Sequence, residues 1–302
     1  MNQTRKKIAL EIKNISKEEL EKDWLKLVEI KDKKIGSGNR TGNDIVDYFT
    51  FPQRLETIGN KKVGFYEFYQ NKEKYCKKPY IRSFIKKNCK ITRKNKTKVY
   101  YRIFSYYFGS INLFRPLNAI QIYKRFPSKV AVLDFTMGWG GRLVGACVLN
   151  LPKYIGIDKN IHLKVPYSKM SSFLKEKSST IIDLYFQDAL LVDYSSFSYD
   201  VVFSSPPYYN LEIYHGTLFQ EKEKWNNDFY IPLFKKTYAS LSMGGFYCLN
   251  VPIDLYENIC IPLFGEADYR VPLKTRYRTS KYSEYVYVFQ KTKKRTFSYL
   301  FS

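Results

Sequence analysis

Val201-Val202-Phe203-Ser204-Ser205-Pro206-Pro207-Tyr208-Tyr209 is an apolar run that stops abruptly at serine, two prolines and an aromatic pair. Asp200 to Phe203 reads as a buried strand, since a short apolar run closed by breakers fits a strand covered on both faces. Pro206 and Pro207 have no N–H to donate and a fixed φ, so the strand stops at Ser205. A loop stiffened this way holds its carbonyls in set directions and presents Tyr208 as a plate. That suits a flat substrate gripped by face and edge. Taken alone, the stretch reads as a rigid turn with Tyr208 packed inside; what precedes it changes the reading.

Upstream, Val130-Ala131-Val132-Leu133-Asp134-Phe135-Thr136-Met137-Gly138-Trp139-Gly140-Gly141-Arg142-Leu143 reads as a strand, an acid, a glycine-rich turn and the start of a helix that continues to Asn150. Glycines at 138, 140 and 141 let the backbone bend tightly and let a ligand approach the main chain. A second strand, Tyr154 to Asp158, ends in an acid placed to take both hydroxyls of a ribose. A third, Ile181 to Phe186, leads to Asp188. Four successive strands thus carry Asp134, Asp158, Asp188 and the Ser-Pro-Pro-Tyr loop to their carboxyl ends. In an open parallel sheet those ends form one ligand-binding edge. Ile111 to Phe126, just before the first strand, reads as a loop running into an amphipathic helix.

In these two motifs, their order and their spacing, residues 108 to 292 resemble the S-adenosylmethionine-dependent methyltransferases that modify exocyclic amino groups of DNA bases. The resemblance implies an α/β, Rossmann-like class I methyltransferase fold: a mostly parallel seven-stranded sheet with a C-terminal antiparallel hairpin. It gives the cofactor's methionine part to Asp134, Thr136, Met137, Gly138, Trp139 and Gly140. The ribose falls to Asp158 and the adenine amino group to Asp188. The family's catalytic tetrapeptide, Asp/Asn/Ser-Pro-Pro-aromatic, is matched by Ser205, Pro206, Pro207 and Tyr208. Phe135 departs from the proline usual after the acid, which bears on the turn's geometry. Serine at the first tetrapeptide position is more frequent among N4-cytosine than N6-adenine enzymes, so cytosine is the favoured base.

The tetrapeptide's chemistry is also legible directly. An exocyclic amino nitrogen is a poor nucleophile because its lone pair is delocalised into the ring. Accepting both its hydrogens, at the Ser205 hydroxyl and the Pro206 carbonyl, localises that lone pair for attack on a sulfonium methyl. No metal or covalent intermediate is required. Tyr208 stacks on a base flipped from its duplex or already single-stranded. Stacking contributes about 1–3 kcal/mol per base, comparable with the few kcal/mol that unstacking costs, so backbone contacts are needed besides.

Downstream, Tyr209 to Gly216 reads as a loop over the target base, with His215 a loop residue rather than a general base. A helix is expected over Trp225 to Leu241, a fifth strand over Phe246 to Val251, and a hairpin from Val271–Tyr277 and Glu284–Gln290. The tail Lys291-Thr292-Lys293-Lys294-Arg295 reads either as a DNA contact or as a solvated end.

The 302 residues carry a net charge of +23, unevenly spread. Phe51 to Tyr100 holds 15 Lys and Arg against 3 Asp and Glu, Val271 to Ser302 holds 8 against 1, and the stretch between holds 17 against 15. A neutral core with basic flanks is the footprint of a phosphate-backbone binder. The aromatics among these charges (Phe65, Tyr66, Phe68, Tyr69, Tyr75, Tyr80) read either as stacking rings or as a small core. No insert follows the tetrapeptide, so residues 1–105 are expected to form the basic recognition region and 106–302 the catalytic domain. Lys78, Lys86, Lys87, Lys90, Arg93 and Lys94 are the expected nucleic-acid contacts. Ser16-Lys17-Glu18-Glu19 has the form of a capping box, and Gly36 to Asn43 reads as a flexible connection. Five scattered cysteines and two distant histidines argue for reduced thiols and against a zinc site. With no membrane-length apolar run and no apolar leader, the chain reads as soluble and intracellular. An RNA amino-methyltransferase and a non-catalytic, methyltransferase-like nucleic-acid-binding subunit remain alternative readings, and a protein partner or homodimer stays open.

Overall fold

Val132, Leu133, Ile155, Val201, Val202 and Phe203 are completely buried, and strands apolar on both faces need cover on both. A computed structural model shows that cover; it describes residues 3–33, 36, 38–59, 61–87, 96–109, 111–127, 129–209, 212–213, 221–273 and 285–293. Its strands are β1 Ile58–Gly59, β2 Ala131–Asp134, β3 Lys153–Ile157, β4 Ile181–Tyr185, β5 Val201–Ser204, β6 Glu212–Ile213, β7 Phe246–Val251, β8 Tyr269–Pro272 and β9 Tyr285–Gln290. Seven of them form one sheet in the order β4-β3-β2-β5-β7-β9-β8. β4, β3, β2, β5 and β7 are mutually parallel, while β9 runs antiparallel between β7 and β8. This is the mostly parallel, seven-stranded, Rossmann-like sheet with a terminal antiparallel hairpin that the sequence led us to expect. The chain leaves β2 toward β3 on one side and returns at β5 on the other, which makes the β2–β5 junction the topological switch point.

One face of the sheet packs against the helices Pro116–Tyr123, Gly141–Val148 and Lys164–Lys175, through Leu117, Ile120, Val144 and Met170. The other packs against Ile231–Ala239 and Ile261–Phe264, through Leu233, Phe234 and Phe264. The helix expected over 225–241 begins at Lys222 and continues through a wider π turn, Asn226–Tyr230, into Ile231–Ala239. Another π turn, Tyr256–Cys260, likewise runs into a helix, Ile261–Phe264. In both cases a proline, Pro232 or Pro262, stands two residues after the π turn. Proline lacks the N–H and crowds the preceding turn, and a widened turn relieves both. The helical stretch between β7 and β8 had no counterpart in the sequence reading.

Among its described residues the N-terminal region carries, besides β1, the helices Gln3–Ile12, Lys17–Ile30, Asn43–Arg54, Phe65–Gln70, Lys72–Cys76, Pro79–Lys87 and Lys96–Phe104. The capping box forms, with Ser16 Oγ accepting from the Glu19 N–H at 3.2 Å and the Glu19 carboxylate accepting from the Ser16 N–H at 2.8 Å. Phe65, Tyr66 and Phe68 are buried with Phe104 and Phe108, so of the two readings of these aromatics the small core is the correct one for them. Leu20, Trp24, Leu27, Ile45 and Val46 belong to the core under the sheet. β1 pairs antiparallel with β6, Ile58 opposite Ile213 and Gly59 opposite Glu212. A line drawn at residue 105 therefore divides the sequence, but apolar packing and backbone pairing cross it.

Among the described residues no helix is long and apolar enough to cross a membrane. Lys291 takes neither role expected of the tail: its ammonium donates to the carbonyls of Tyr238, Ala239 and Leu241 at 2.7–3.0 Å, capping the end of the helix Ile231–Ala239. Lys294 and Arg295 lie outside the described residues.

Candidate active site

β2 ends at Asp134, which is completely buried. Arg142, the second residue of the next helix, grips this carboxylate twice, Nε at 2.6 Å and a terminal nitrogen at 3.1 Å. Tyr154 donates at 2.6 Å and Ser204 at 2.9 Å. Burial opposes the Arg142 charge, but Asp134 beside it holds the pKa above the usual value. The carboxylate thus joins β2, β3, β5 and the helix Gly141–Val148 from within, and it acts on the glycine loop by fixing it. Ser204 Oγ also meets the Thr136 hydroxyl at 2.6 Å and accepts from the Thr136 N–H at 3.1 Å, across the switch point.

The loop closes without the usual proline. Phe135 is buried on the far face, its ring 6.0 Å from that of Phe234, and the Met137 N–H donates to the Ile157 carbonyl at 2.9 Å. Gly138 and Gly140 have φ of +57° and +101°, which a Cβ would strain. Gly141 serves packing: a Cβ there would stand 1.7 Å from the Phe114 carbonyl oxygen. Met137, Trp139 and Gly140 are buried, Thr136 and Gly138 half-buried. Tyr167 donates to the carbonyls of Met137 and Gly138 at 3.1 and 3.0 Å, and Thr50 from the N-terminal region reaches the Trp139 carbonyl at 3.2 Å. Only part of the loop presents a surface.

Asp158, just past β3, accepts from the N–H groups of Gly138 at 3.0 Å and Asn160 at 2.9 Å, one on each oxygen. Burial pushes its pKa up to about 6, against those two hydrogen bonds. Each oxygen keeps a lone pair, and that donor set fits a vicinal diol. Asp188, half-buried after β4, caps the turn Ala189–Leu191 by accepting from the Leu190 N–H at 2.9 Å. All three acids stand at the same edge of the sheet.

β5 stops at Ser204, and Ser205 and Tyr208 follow, both half-buried. The Tyr208 phenol donates to the Asn250 carbonyl at 2.8 Å and lies 3.0 Å from Ser205 Oγ. Tyr209 holds a left-handed φ of +49°, uncommon for a residue with a side chain. Tyr230 holds it there: its hydroxyl accepts from the Tyr209 N–H at 2.9 Å and donates to the Pro207 carbonyl at 2.6 Å. His215 lies outside the described residues, as do Lys90, Arg93 and Lys94. Lys78, Lys86 and Lys87 are exposed on or beside the helix Pro79–Lys87.

Arg142, Ser204, Tyr230 and Asn250 were missed from the sequence. Ser204 had a usable signal, a polar residue closing an otherwise apolar strand. The other three act through contacts with residues 8 to 42 positions away.

No protein-family model and no curated protein matches the chain. Solved structures that resemble it include an rRNA methylase from Streptococcus thermophilus, 14% identical, covering 60% of this chain and 99% of that one with a TM-score of 0.39. Another is a tRNA m1G37 methyltransferase from M. jannaschii, 16% identical, covering 62% and 53%, with a TM-score of 0.41. At these scores the likenesses carry no argument about activity, which rests on the chain's own geometry.

Proposed function

We propose that this protein is an S-adenosylmethionine-dependent methyltransferase acting on an exocyclic amino group of a nucleic-acid base, in DNA, with cytosine N4 favoured over adenine N6. The observation that carries the reading is the hydrogen-bonded line Ser205–Tyr208–Asn250 at the carboxyl edge, beside the glycine loop. A phenol has one proton, and Tyr208 gives it to Asn250. Ser205 is then the donor to Tyr208, and its lone pairs are left to accept.

When bound, S-adenosylmethionine supplies an electrophilic sulfonium methyl. Asp158 would take its ribose hydroxyls and Asp188 its adenine amino group. Thr136 and Gly138 offer the half-buried surface for its methionine part, while Asp134, Met137, Trp139 and Gly140 shape that surface from beneath. Ser205 Oγ and the Pro206 carbonyl accept the two amino hydrogens of the target base and concentrate the nitrogen lone pair. Pro207 is committed to Tyr230 and holds the loop's form. The Tyr208 ring, fixed through its hydroxyl, stacks on the base.

The test is methyl transfer from labelled S-adenosylmethionine to unmodified genomic DNA and, separately, to total RNA, followed by nucleoside digestion and mass analysis. N4-methylcytosine or N6-methyladenine from DNA, lost in Ser205→Ala and Tyr208→Ala, supports the reading. Product from RNA alone replaces DNA by RNA. Absence of both product and cofactor binding overturns the enzyme reading in favour of a non-catalytic subunit.

A further inference from the structure

We infer that a second, separate surface, built from Tyr80, Phe84, Tyr106 and Tyr107, is a stacking platform for a single-stranded stretch of nucleic acid. It deepens the proposed function and rests on that reading for the class of ligand. Unlike Phe65 and Phe68, which fill the small core, two of these rings face solvent: Tyr106 is 73% exposed and Tyr80 48%. Large rings exposed side by side are unusual on a surface with no partner.

The rings are set rather than loose. Tyr107 lies 4.9 Å from both Tyr80 and Tyr106 between centroids, and Phe84 lies 5.7 Å from Tyr106. The Tyr107 hydroxyl donates to the Tyr80 carbonyl at 3.2 Å, tying the segment Ser105–Gly109 to the helix Pro79–Lys87. Residues 77–87 contain Lys77, Lys78, Arg82, Lys86 and Lys87 and no acid. All five are exposed, and the Lys78 ammonium stands 6.0 Å from the Tyr80 ring. Rings for bases beside cations for phosphates are what an unpaired strand requires. A second copy of the chain would bring like charge against like.

β1 lies between the platform's segment and the strand that follows the tetrapeptide. Gly59 is close enough to Phe108 that a Cβ there would lie 3.6 Å from the Phe108 carbonyl oxygen. Gly59 in turn pairs with Glu212, four residues beyond Tyr208.

The experiment is fluorescence anisotropy of a labelled single-stranded dT 15-mer with the full chain, without cofactor, at several salt concentrations. Tyr80→Ala with Tyr106→Ala is expected to weaken binding tenfold or more, from stacking energies of about 1–3 kcal/mol per base, with the salt slope unchanged. Lys86→Gln with Lys87→Gln is expected to lower that slope by about 1.4, at roughly 0.7 per phosphate contact. Tyr106→Trp, at a site too exposed to affect folding, is expected to bind as the parent does, with its emission quenched by the oligonucleotide. Parent-like affinity in the double alanine variant overturns the platform. So does an equal loss on blunt duplex, or conversion of a dimer to a monomer by that variant. Because binding is read without cofactor it is independent of the reaction: intact oligonucleotide binding, together with no product in the methyl-transfer assay with labelled S-adenosylmethionine, would remove the proposed reaction and leave the platform standing.

Discussion

Ser205 Oγ stands 3.0 Å from the Tyr208 hydroxyl, which is itself committed as a donor to the Asn250 carbonyl at 2.8 Å. The direction of the whole line follows from the single phenolic proton. Tyr208→Phe keeps the ring and frees the Ser205 proton to turn toward the substrate. Single-turnover methyl transfer is expected to fall about tenfold, the scale of one net hydrogen bond, with cofactor affinity unchanged. Tyr208→Ala, which also removes the ring, is expected to lose far more. Equal rates for the phenylalanine variant and the parent would refute the polarity argument.

Asp158 yields a prediction about pH. Its folded pKa, about 6, lies above the ordinary 3.8, so the native state binds the proton more tightly than the unfolded chain. Between about pH 4 and pH 6 this site's contribution to stability falls as pH rises, and above pH 6 the charged carboxylate is a net cost. Asp158→Asn is expected to melt roughly 2 °C higher than the parent at pH 7.5, the difference vanishing below pH 4. Calorimetry on the same variant is expected to show cofactor affinity down about 100-fold, the scale of two hydrogen bonds to a charged group. Parent affinity should itself decline as pH falls through 6.

Arg142 and Asp134 form a buried pair, 4% and 0% exposed. Removing the cation leaves a carboxylate stranded in the core. Arg142→Met is expected to cost about 3–5 kcal/mol in urea denaturation. A loss below 1 kcal/mol would mean that Tyr154 and Ser204 suffice to hold Asp134.

Two glycines of this turn should respond to alanine to very different degrees. At Gly138 the nearest atom to an added Cβ is 3.9 Å away, so only the left-handed φ is strained; about 1–2 kcal/mol is expected. At Gly141 the Cβ would collide with the Phe114 carbonyl at 1.7 Å, and Gly141→Ala is expected to fold poorly or melt far below the parent. Thermal melts of the two proteins side by side check the contrast.

Much of this was local enough to be written in one dimension. Apolar runs such as Val201 to Phe203 mark buried strands because both faces must be covered, and Pro206-Pro207 fixes where pairing stops. Ser16 and Glu19 cap a helix through contacts three residues apart, and the order of strands and acids implied one ligand-binding edge. Tertiary structure decided what depends on distant neighbours. It turned Asp134 into an internal anchor, because Arg142, Tyr154 and Ser204 converge on it. It sorted rings of the same basic region into core at Phe65 and surface at Tyr80, a division that composition cannot express. It also paired β1 with β6, since two-residue strands carry no periodicity and exist only where the fold brings their backbones together.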